Sequence, residues 1–353
     1  MPSATTVSVL VPVLDEAAHI EECIASLRAQ DHPGVVEILV AEGGSTDGTV
    51  SILERLAAGA PPVRVVPNPH RNQSAGLNLL ISLAAGDVVT RADAHTRYAA
   101  DYVARSVAAL EASGADLVGG PMLPEGSTPR EAAIAAAMRS PVAVGRTAFR
   151  RSGASGEVDT VYLGTMRTET ARRMRGYRRL PSGVAEDADL AFRIRRTGGR
   201  VVLDPSIRSS YRPRRRLRDL ARQFFRYGRG KAEMLYLNGR FPSWRPLAPL
   251  LLVLGVGGTT LLGVTTGVWW PLVALAGAWL VTIGVGSVRS PRVPTTAAAI
   301  AIIHVAYGAG LLRGLVAGRR ALSRIPAVGG APPAGDATAR HLDRHPQDGQ
   351  SGE

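Results

Sequence analysis

The chain is short of cysteine, lysine and aromatic side chains, and each shortage removes a class of explanation. Cys23 is the only cysteine among 353 residues. No internal disulfide is therefore possible, and the thiol is expected to pack as a small apolar group on the first helix. Lys231 is the only lysine among 42 basic side chains, which outnumber the 29 acidic ones to give a formal charge of +13. So basic a balance suits nucleic acid, anionic lipid or phosphorylated substrates. Aromatic residues make up only 5%, and over most of the chain the arginines are not interleaved with rings that could stack on bases. With no helix-turn-helix, zinc-finger or RNA-binding signature, a nucleic-acid partner is not expected. Nor is a secretory leader, because Val7–Val13 is too short and no basic residue precedes it. No internal repeat is visible.

What the chain does have, from residue 6 on, is alternation. β-branched apolar runs over 6–13, 35–41, 63–66 and 88–90 read as buried strands, and helical spacing reads as helices over 17–29, 49–58, 74–84 and 98–113. This order implies a doubly wound, mostly parallel α/β sheet with right-handed crossovers. Further strands are expected over 117–122, 158–164 and 200–203, and helices over 129–144 and 187–197, with 145–156 as a mobile basic loop.

From Arg212 the composition changes. Residues 212–231 are dense in arginine and carry Phe224, Phe225 and Tyr227 as an apolar stripe. Residues 247–288 are almost free of charge, and Trp269-Trp270-Pro271 divide them into two segments of roughly the ~20 residues that cross a bilayer. A third candidate, 295–316, carries His304 and Arg313. Tryptophans at segment ends suit the interfacial belt. The expected organisation is an α/β unit over 1–211, a basic interfacial segment over 212–245, two or three membrane helices within 246–318, and a disordered tail over 319–353. Arginines on both outer flanks of the first two spans place those flanks and the α/β unit in the cytoplasm, with 264–268 outside. That is a multi-pass protein of a bacterial-type inner or plasma membrane. If 295–316 also spans, Arg319, Arg320 and Arg324 lie outside, against the same rule; a re-entrant or interfacial third segment is the alternative.

The chemistry centres on residues 86–95. Val88, Val89 and Thr90 form a short strand, and Asp93 and His95 follow it at i, i+2. In a turning segment that spacing lets a carboxylate and an imidazole reach one divalent ion that still holds phosphate oxygens and water. In open α/β sheets the ligand crevice lies at the carboxyl ends of the strands, where this segment falls.

Four stretches, in order, resemble family 2 glycosyltransferases of the GT-A fold, and within them the membrane-associated enzymes of succinoglycan-type exopolysaccharide synthesis. The first is Val11-Pro12-Val13-Leu14-Asp15-Glu16, where the resemblance implies that Pro12 and Glu16 border the nucleotide. The second is the glycine loop from Glu42 to Thr49; Asp47 there can accept from a base N–H or a ribose hydroxyl, and Glu42 replaces the family's usual Asp. The third runs from Arg71 through Asn78 to Asp93 and His95. It implies an Mg²⁺ or Mn²⁺ ion bridging the donor diphosphate, with His95 in place of the second acid of D-x-D and Arg71 neutralising phosphate. The fourth is Glu186-Asp187, which implies Asp187 as general base and Glu186 as its support. Further on, Gln223 and Arg226 match a Q-x-x-R-W pattern with Tyr227 for Trp, and so are assigned to the diphosphate or acceptor; an amphipathic helix drawn to anionic lipid is the competing account. Asp159, Gly164 and Thr165 are expected at the acceptor pocket.

The resemblance implies a metal-dependent inverting hexosyltransferase. It would move a sugar from a nucleotide donor, UDP-hexose above all, to a lipid-linked saccharide in exopolysaccharide or cell-surface glycan assembly. Two alternatives remain at this point: a polyprenyl-phosphate sugar synthase, and a non-catalytic membrane adaptor holding anionic lipid or polymer.

Overall fold

Both faces of the first strand are buried, and this sets the layering. The computed structural model describes residues 4–57, 61–145, 147–150, 153–240, 244, 246–318 and 320. In chain order its elements are β1 (Val7–Val13), α1 (Ile20–Arg28), β2 (Val35–Glu42), α2 (Thr49–Leu56), β3 (Val63–Pro67), α3 (Gln73–Leu83), β4 (Val88–Arg91), β5 (Thr96–Tyr98), α4 (Tyr102–Ser113), β6 (Leu117–Gly120), β7 (Leu123–Pro124), α5 (Pro129–Arg139) and α6 (Pro141–Val144). Then follow β8 (Gly156–Glu157), β9 (Tyr162–Arg167), α7 (Thr168–Arg173), α8 (Glu186–Arg196), β10 (Val201–Leu203), β11 (Ser209–Tyr211), α9 (Leu217–Asn238), α10 (Leu247–Thr266), α11 (Trp270–Ser287) and α12 (Val293–Ala317). Val9, Val11 and Val13 of β1 pack with Ile20, Ile24 and Leu27 of α1 and Val103, Val107 and Leu110 of α4. Leu10, pointing the other way, joins Leu77 and Leu80 of α3 and Leu190 and Ile194 of α8.

The main sheet has the order β3-β2-β1-β4-β9-β6-β10-β8, and a small sheet β5-β11-β7 lies apart from it. β1, β2, β3 and β4 are parallel, whereas β9 runs antiparallel between β4 and β6. The expected strand over 158–164 is thus displaced to Tyr162–Arg167, and the sheet is mixed. The excursion after β6 stays at the carboxyl edge of the sheet, so the returning strand starts there and must run the opposite way. Gly164 and Thr165 consequently lie inside the sheet and are buried, with the Thr165 hydroxyl donating to Thr90 Oγ1 at 3.1 Å. The chain goes from β1 outward to β2 and β3, then crosses back to β4 on the other side of β1. That reversal opens a crevice at the carboxyl ends of β1 and β4.

Other boundaries shift for local reasons. The helix expected over 129–144 breaks at Ser140, whose extended backbone (φ −66°, ψ 123°) is what a residue before proline adopts. The helix expected over 98–113 starts at Tyr102, because residues 96–98 pair as a strand with β11. Within the loop expected over 145–156, residues 148–150 form a 3₁₀ turn that buries Arg150. The tail beyond residue 320, including Arg324, lies outside the described residues.

The arginine-rich segment becomes the long helix α9, and its apolar stripe finds a partner within the protein. Phe224 packs with Ala299, Ile300 and Ile303 of α12 and with Met138 of α5. The two helices approach more closely than side chains permit. A Cβ on Gly228 would lie 2.2 Å from the Tyr307 carbonyl, and one on Gly310 would lie 2.1 Å from that of Phe225. α10, α11 and α12 are all long and apolar enough to cross a membrane, and α12 is the most enclosed, 39% buried against 11% for the other two. His304, the polar interruption of α12, is a staple: Trp279 Nε1–H donates to its Nδ1 at 3.2 Å, and its Nε2 meets the Val142 carbonyl at 2.8 Å.

Candidate active site

Of the expected donor-side residues, Pro12, Glu16, Glu42, Asp47, Arg71 and Asp93 lie at or just after the ends of β1 to β4, whereas Asn78 lies within α3 and Gln223 and Arg226 within α9. Pro12 lies near the end of β1. β4 pairs with β1 only as far as Leu10, so its missing N–H falls beyond the shared ladder. Three loops at this edge hold non-glycine residues with positive φ: Asp15 (53°), Arg71 (48°) and Ala185 (71°). Such backbone persists only where surrounding contacts impose it, and it clusters at sites of function.

The loop after β2 is tied down by its own carboxylates. Glu42 accepts from the Gly44 and Ser45 N–H groups at 2.8 and 2.7 Å. Burial alone would raise its carboxyl, but these bonds and the Arg71 charge hold it below its ordinary value of 4.5. Asp47 accepts from Thr49 Oγ1 at 2.5 Å and from the Ala17 N–H at 3.0 Å, bonds that lower its carboxyl in turn. Both Asp47 oxygens are thus engaged in pinning this loop to the end of β1, and the expected nucleotide contact is joined by a structural one. Arg71 lies over the backbone of Gly44, where a Cβ would meet its guanidinium at 3.1 Å.

Because the Glu42 carboxyl is depressed in the folded state, its contribution is full above its ordinary value. It fades as pH falls from about 4.5 through the lower folded value. Glu42→Gln should therefore melt lower than wild type at pH 7, by about 1–2 kcal/mol of stability, with the gap closing toward pH 3.5. Melting curves across that range check it; a gap independent of pH would remove the carboxylate from the account.

Asn78 is a correction. Its Nδ2 donates to the Tyr177 carbonyl at 2.8 Å and its Oδ1 accepts the Tyr177 N–H at 2.7 Å. This two-way clamp joins α3 to the loop before α8, and its side chain is committed there and not to a nucleotide. The sequence shows an amide on a helix, not which backbone groups it satisfies.

Asp93 and the Glu186-Asp187 pair, 93 residues apart along the chain, meet through a residue the sequence reading passed over. Arg91 ends β4 and is buried. Its Nε donates to Asp93 Oδ1 at 3.1 Å and its Nη1 to Glu186 Oε1 at 3.0 Å, while its guanidinium lies 5.7 Å from the Tyr177 ring centre. Burial works against the cation, but the two carboxylates outweigh it and keep Arg91 charged. Glu186 is pushed up chiefly by burial, with Arg91 pulling the other way and Asp187 adding to the rise. A signal was present in Arg91-Ala92-Asp93: on an extended segment i and i+2 share a face.

Asp93 Oδ1 also accepts from Gln73 Nε2 at 3.3 Å; among the described residues Oδ2 has no partner. His95 Nδ1 meets Glu16 Oε1 at 3.1 Å, and among the described residues Nε2 has no hydrogen-bond partner. Burial would lower this imidazole, but the Glu16 bond and the Asp93 charge raise it. Among the described residues no three His, Cys, Asp or Glu side chains form a ready-made metal cluster. One free carboxylate oxygen and one free ring nitrogen fit an ion that draws its remaining ligands from phosphate and water.

Asp187 is the more exposed of the acidic pair; its Oδ1 accepts from the Ala188 N–H at 2.7 Å. The loop before it is braced by α9. Arg226 donates to the Ser182 and Gly183 carbonyls at 3.1 and 3.3 Å, and buried Glu233 accepts from the Ser182 N–H and hydroxyl at 3.0 and 2.7 Å. Arg226 also lines a cleft of about 280 Å³ with Asn72, Arg179 and Ser182. Gln223 donates to the Tyr211 and Tyr227 hydroxyls at 3.0 and 2.8 Å. Asp159 pairs with Arg195 at 2.8 Å on the surface.

Residues 8–167 match the family model Glycosyl transferase family 2, and residues 88–311 match Glycosyl transferase family group 2. The chain is a family 2 glycosyltransferase. It is 34% identical to the succinoglycan biosynthesis protein ExoA of Rhizobium meliloti over 326 residues, 90% of this chain and 97% of that one. The expected resemblance to the succinoglycan-type subgroup is borne out, and the adaptor alternative falls. It is also 23% identical, over 65% of this chain and 74% of the relative, to a dolichyl N-acetyl-α-D-glucosaminyl phosphate diacetamido-dideoxy-glucuronosyltransferase of Methanococcus voltae. In fold, this glycosyltransferase is similar to the mannosyltransferase PcManGT of Pyrobaculum calidifontis, solved with GDP-Man and Mn²⁺. That likeness has a TM-score of 0.59 at 20% identity and covers 89% of this chain and 88% of that one.

Proposed function

We propose that this glycosyltransferase carries out a metal-dependent, inverting transfer from a nucleoside-diphosphate sugar, UDP-hexose above all, to a lipid-linked saccharide in exopolysaccharide assembly. The observation that supports the reading is the Arg91 bridge, which ties Asp93 to Glu186 at the start of the Asp187 helix. Asp93 and His95 would hold Mg²⁺ or Mn²⁺, which supplies positive charge to the leaving diphosphate when bound. Arg71, whose guanidinium lies over the Gly44 backbone, adds charge there, and Pro12 and Glu16 border the nucleotide.

Asp187 is assigned as general base on access. Glu186, whose carboxyl is raised by burial, is enclosed and held by Arg91, whereas Asp187 is the more exposed of the two. An acceptor hydroxyl beside Asp187 gives up its proton to that carboxylate while its oxygen attacks the anomeric carbon opposite the diphosphate. Gln223 and Arg226 act from α9, the first by tying Tyr211 to Tyr227 and the second by fixing the loop that presents Asp187.

The lipid-linked acceptor is supported by the three apolar helices, by the role printed for the Rhizobium relative, and by the dolichyl-linked acceptor in the name of the Methanococcus relative. Residues 1–211 then form the catalytic unit on the cytoplasmic face, with 212–245 along the surface and 246–318 in the membrane. UDP with Mn²⁺ should raise the melting temperature of the detergent-solubilised chain, because a ligand at about 100 times its Kd adds about 2.7 kcal/mol. A donor panel read by UDP release then identifies the sugar, and EDTA should abolish transfer. No shift with UDP or any other nucleotide would sink the donor reading; transfer unaffected by EDTA would sink the metal.

A further inference from the structure

α12 is apolar and long enough to cross a bilayer, yet most of it is enclosed by the protein's own polar elements. Thr296 Oγ1 donates to the Ala133 carbonyl of α5 at 3.2 Å, and His304 Nε2 meets the Val142 carbonyl of α6 at 2.8 Å. α9 runs beside it in the same direction: Gly228 faces the Tyr307 carbonyl, Ala232 faces Gly314, and the Tyr236 hydroxyl donates to the Leu315 carbonyl at 2.7 Å. These contacts extend from residue 296 to residue 315, about 30 Å of helix. Over that length α9 carries Arg218, Arg222, Arg226 and Arg229, the first three of them exposed. If α12 stood across a bilayer, this row of guanidiniums would lie at the depth of the hydrocarbon, where exposed charge is strongly disfavoured.

The other two apolar helices meet α12 at their base. α10 does so near its start, where Pro249 and Val253 face Gly308; α11 does so toward its end, where Trp279 holds His304 and Gly286 faces Ile300. Positions 300 and 308 are about 12 Å apart along α12, close to the spacing of two packed helices. α12 therefore runs crosswise under the α10–α11 hairpin, touching one arm and then the other. Past this base the hairpin is apolar and bare: Leu254, Leu261 and Val264 on α10 and Trp270 and Val273 on α11 are all exposed, and no charged residue occurs from 246 to 288. A helix crosswise to the base of a hairpin that enters lipid lies in the plane of the membrane.

We propose that α12 does not cross the bilayer but lies along its surface, as a strut between the catalytic unit and the α10–α11 hairpin, and that the hairpin is the surface that enters lipid. The inference rests on the membrane placement of residues 246–318 proposed above and narrows it. The polar groups of α12 agree with it: Thr296 and His304 are satisfied by carbonyls of the catalytic unit, and Arg313 is exposed at the level of the arginines of α9. The charge conflict raised by a third span also disappears. With α12 on the surface, Arg313, Arg319 and Arg320 stay on the side of the catalytic unit, where basic residues are retained.

The test uses the full chain in vesicles of phosphatidylethanolamine and phosphatidylglycerol. Cys23 is buried, so introduced cysteines label against a silent background that the unsubstituted chain checks. Nitroxides go on Val293→Cys, Val305→Cys and Val316→Cys of α12 and on Leu261→Cys of the hairpin, all exposed positions whose replacement leaves the packing intact. Depth is read from accessibility to oxygen against a water-soluble nickel chelate. The three α12 labels should share one shallow depth, within about 10 Å of each other, and Leu261 should lie deeper. A spanning α12 would spread Val293 and Val316 over about 35 Å, with Val305 near the midplane; that gradient overturns the proposal. A membrane-impermeant maleimide, applied to inside-out and right-side-out vesicles of the expressing cells, reads sidedness. Val316→Cys should react from the same face as Arg105→Cys on the exposed surface of the catalytic unit, and reaction from opposite faces also overturns it. Failure of the membrane placement itself looks different: Leu261 would then be as accessible to the nickel chelate as the α12 labels, and the proposal would fall with it.

Discussion

Asp187→Asn should lower transfer by about 10²- to 10⁴-fold, the range a positioned general base contributes, and leave UDP affinity and melting temperature near wild type. The substitution keeps the shape of the side chain at the start of α8 and removes only its ability to take a proton. Among the described residues Asp187 makes one hydrogen bond, accepting from the Ala188 N–H at 2.7 Å, which an amide oxygen can still accept. The buried neighbour Glu186 would not substitute, since it is held by Arg91. Transfer rates with the identified donor, and UDP binding measured alongside, give the split. Undiminished transfer would move the base elsewhere; loss of both transfer and UDP binding would make Asp187 a donor residue.

The second large effect is on stability. Arg91→Met should cost about 3–5 kcal/mol, or about 4–7 °C for a chain of 353 residues. The reason is electrostatic. Arg91 is the cation between Asp93 and Glu186, and all three are buried. Removing it leaves two carboxylates in a low-dielectric site with their charges uncompensated. The loss should be smaller at pH 5 than at pH 8. Without Arg91 the folded-state affinity of both carboxyls for protons rises, and a group so raised contributes stability at low pH that is lost as pH climbs. Arg91→Lys should recover part of the loss, because one ammonium cannot reach two carboxylates as a guanidinium does. Melting temperatures at the two pH values check the claim; a shift under 2 °C would mean that the pair is not charged in the folded protein.

Much of the site was legible because the motifs lie at strand ends. Asp93, Glu42 and Glu16 follow apolar runs that could only be buried strands, and strands of a doubly wound sheet bring their carboxyl ends to one edge. Asp187 was legible as an acidic pair opening an amphipathic helix. Asn78 misled because an amide on a helix looks the same in sequence whether it faces a ligand or clamps the Tyr177 backbone. Gly164 and Thr165 misled because strand direction is not written locally: β9 runs antiparallel between β4 and β6, which places both residues inside the sheet. Arg150 was hidden in a stretch whose composition resembles a solvated loop.

The amphipathic stripe of α9 shows the same division. Its helical period was plain, but its partner was not. A stripe of Phe224, Gly228 and neighbours fits lipid or protein equally well, and only the facing glycine of α12 at position 310 decides for protein.

The sequence by itself determined the longer strands and helices, which segments can enter a membrane, and which acidic groups follow the strands, because apolar periodicity and chain order are local properties; the short strands β5, β7, β8 and β11 and the helix α7 it did not show. Only the tertiary structure decided that Arg91 joins Asp93 to Glu186, that Asn78 is spent on a backbone, and that Arg150 is buried with no partner for its Nη1 among the described residues. Those are pairings between residues far apart in the chain, fixed by which groups must satisfy one another once water has been excluded.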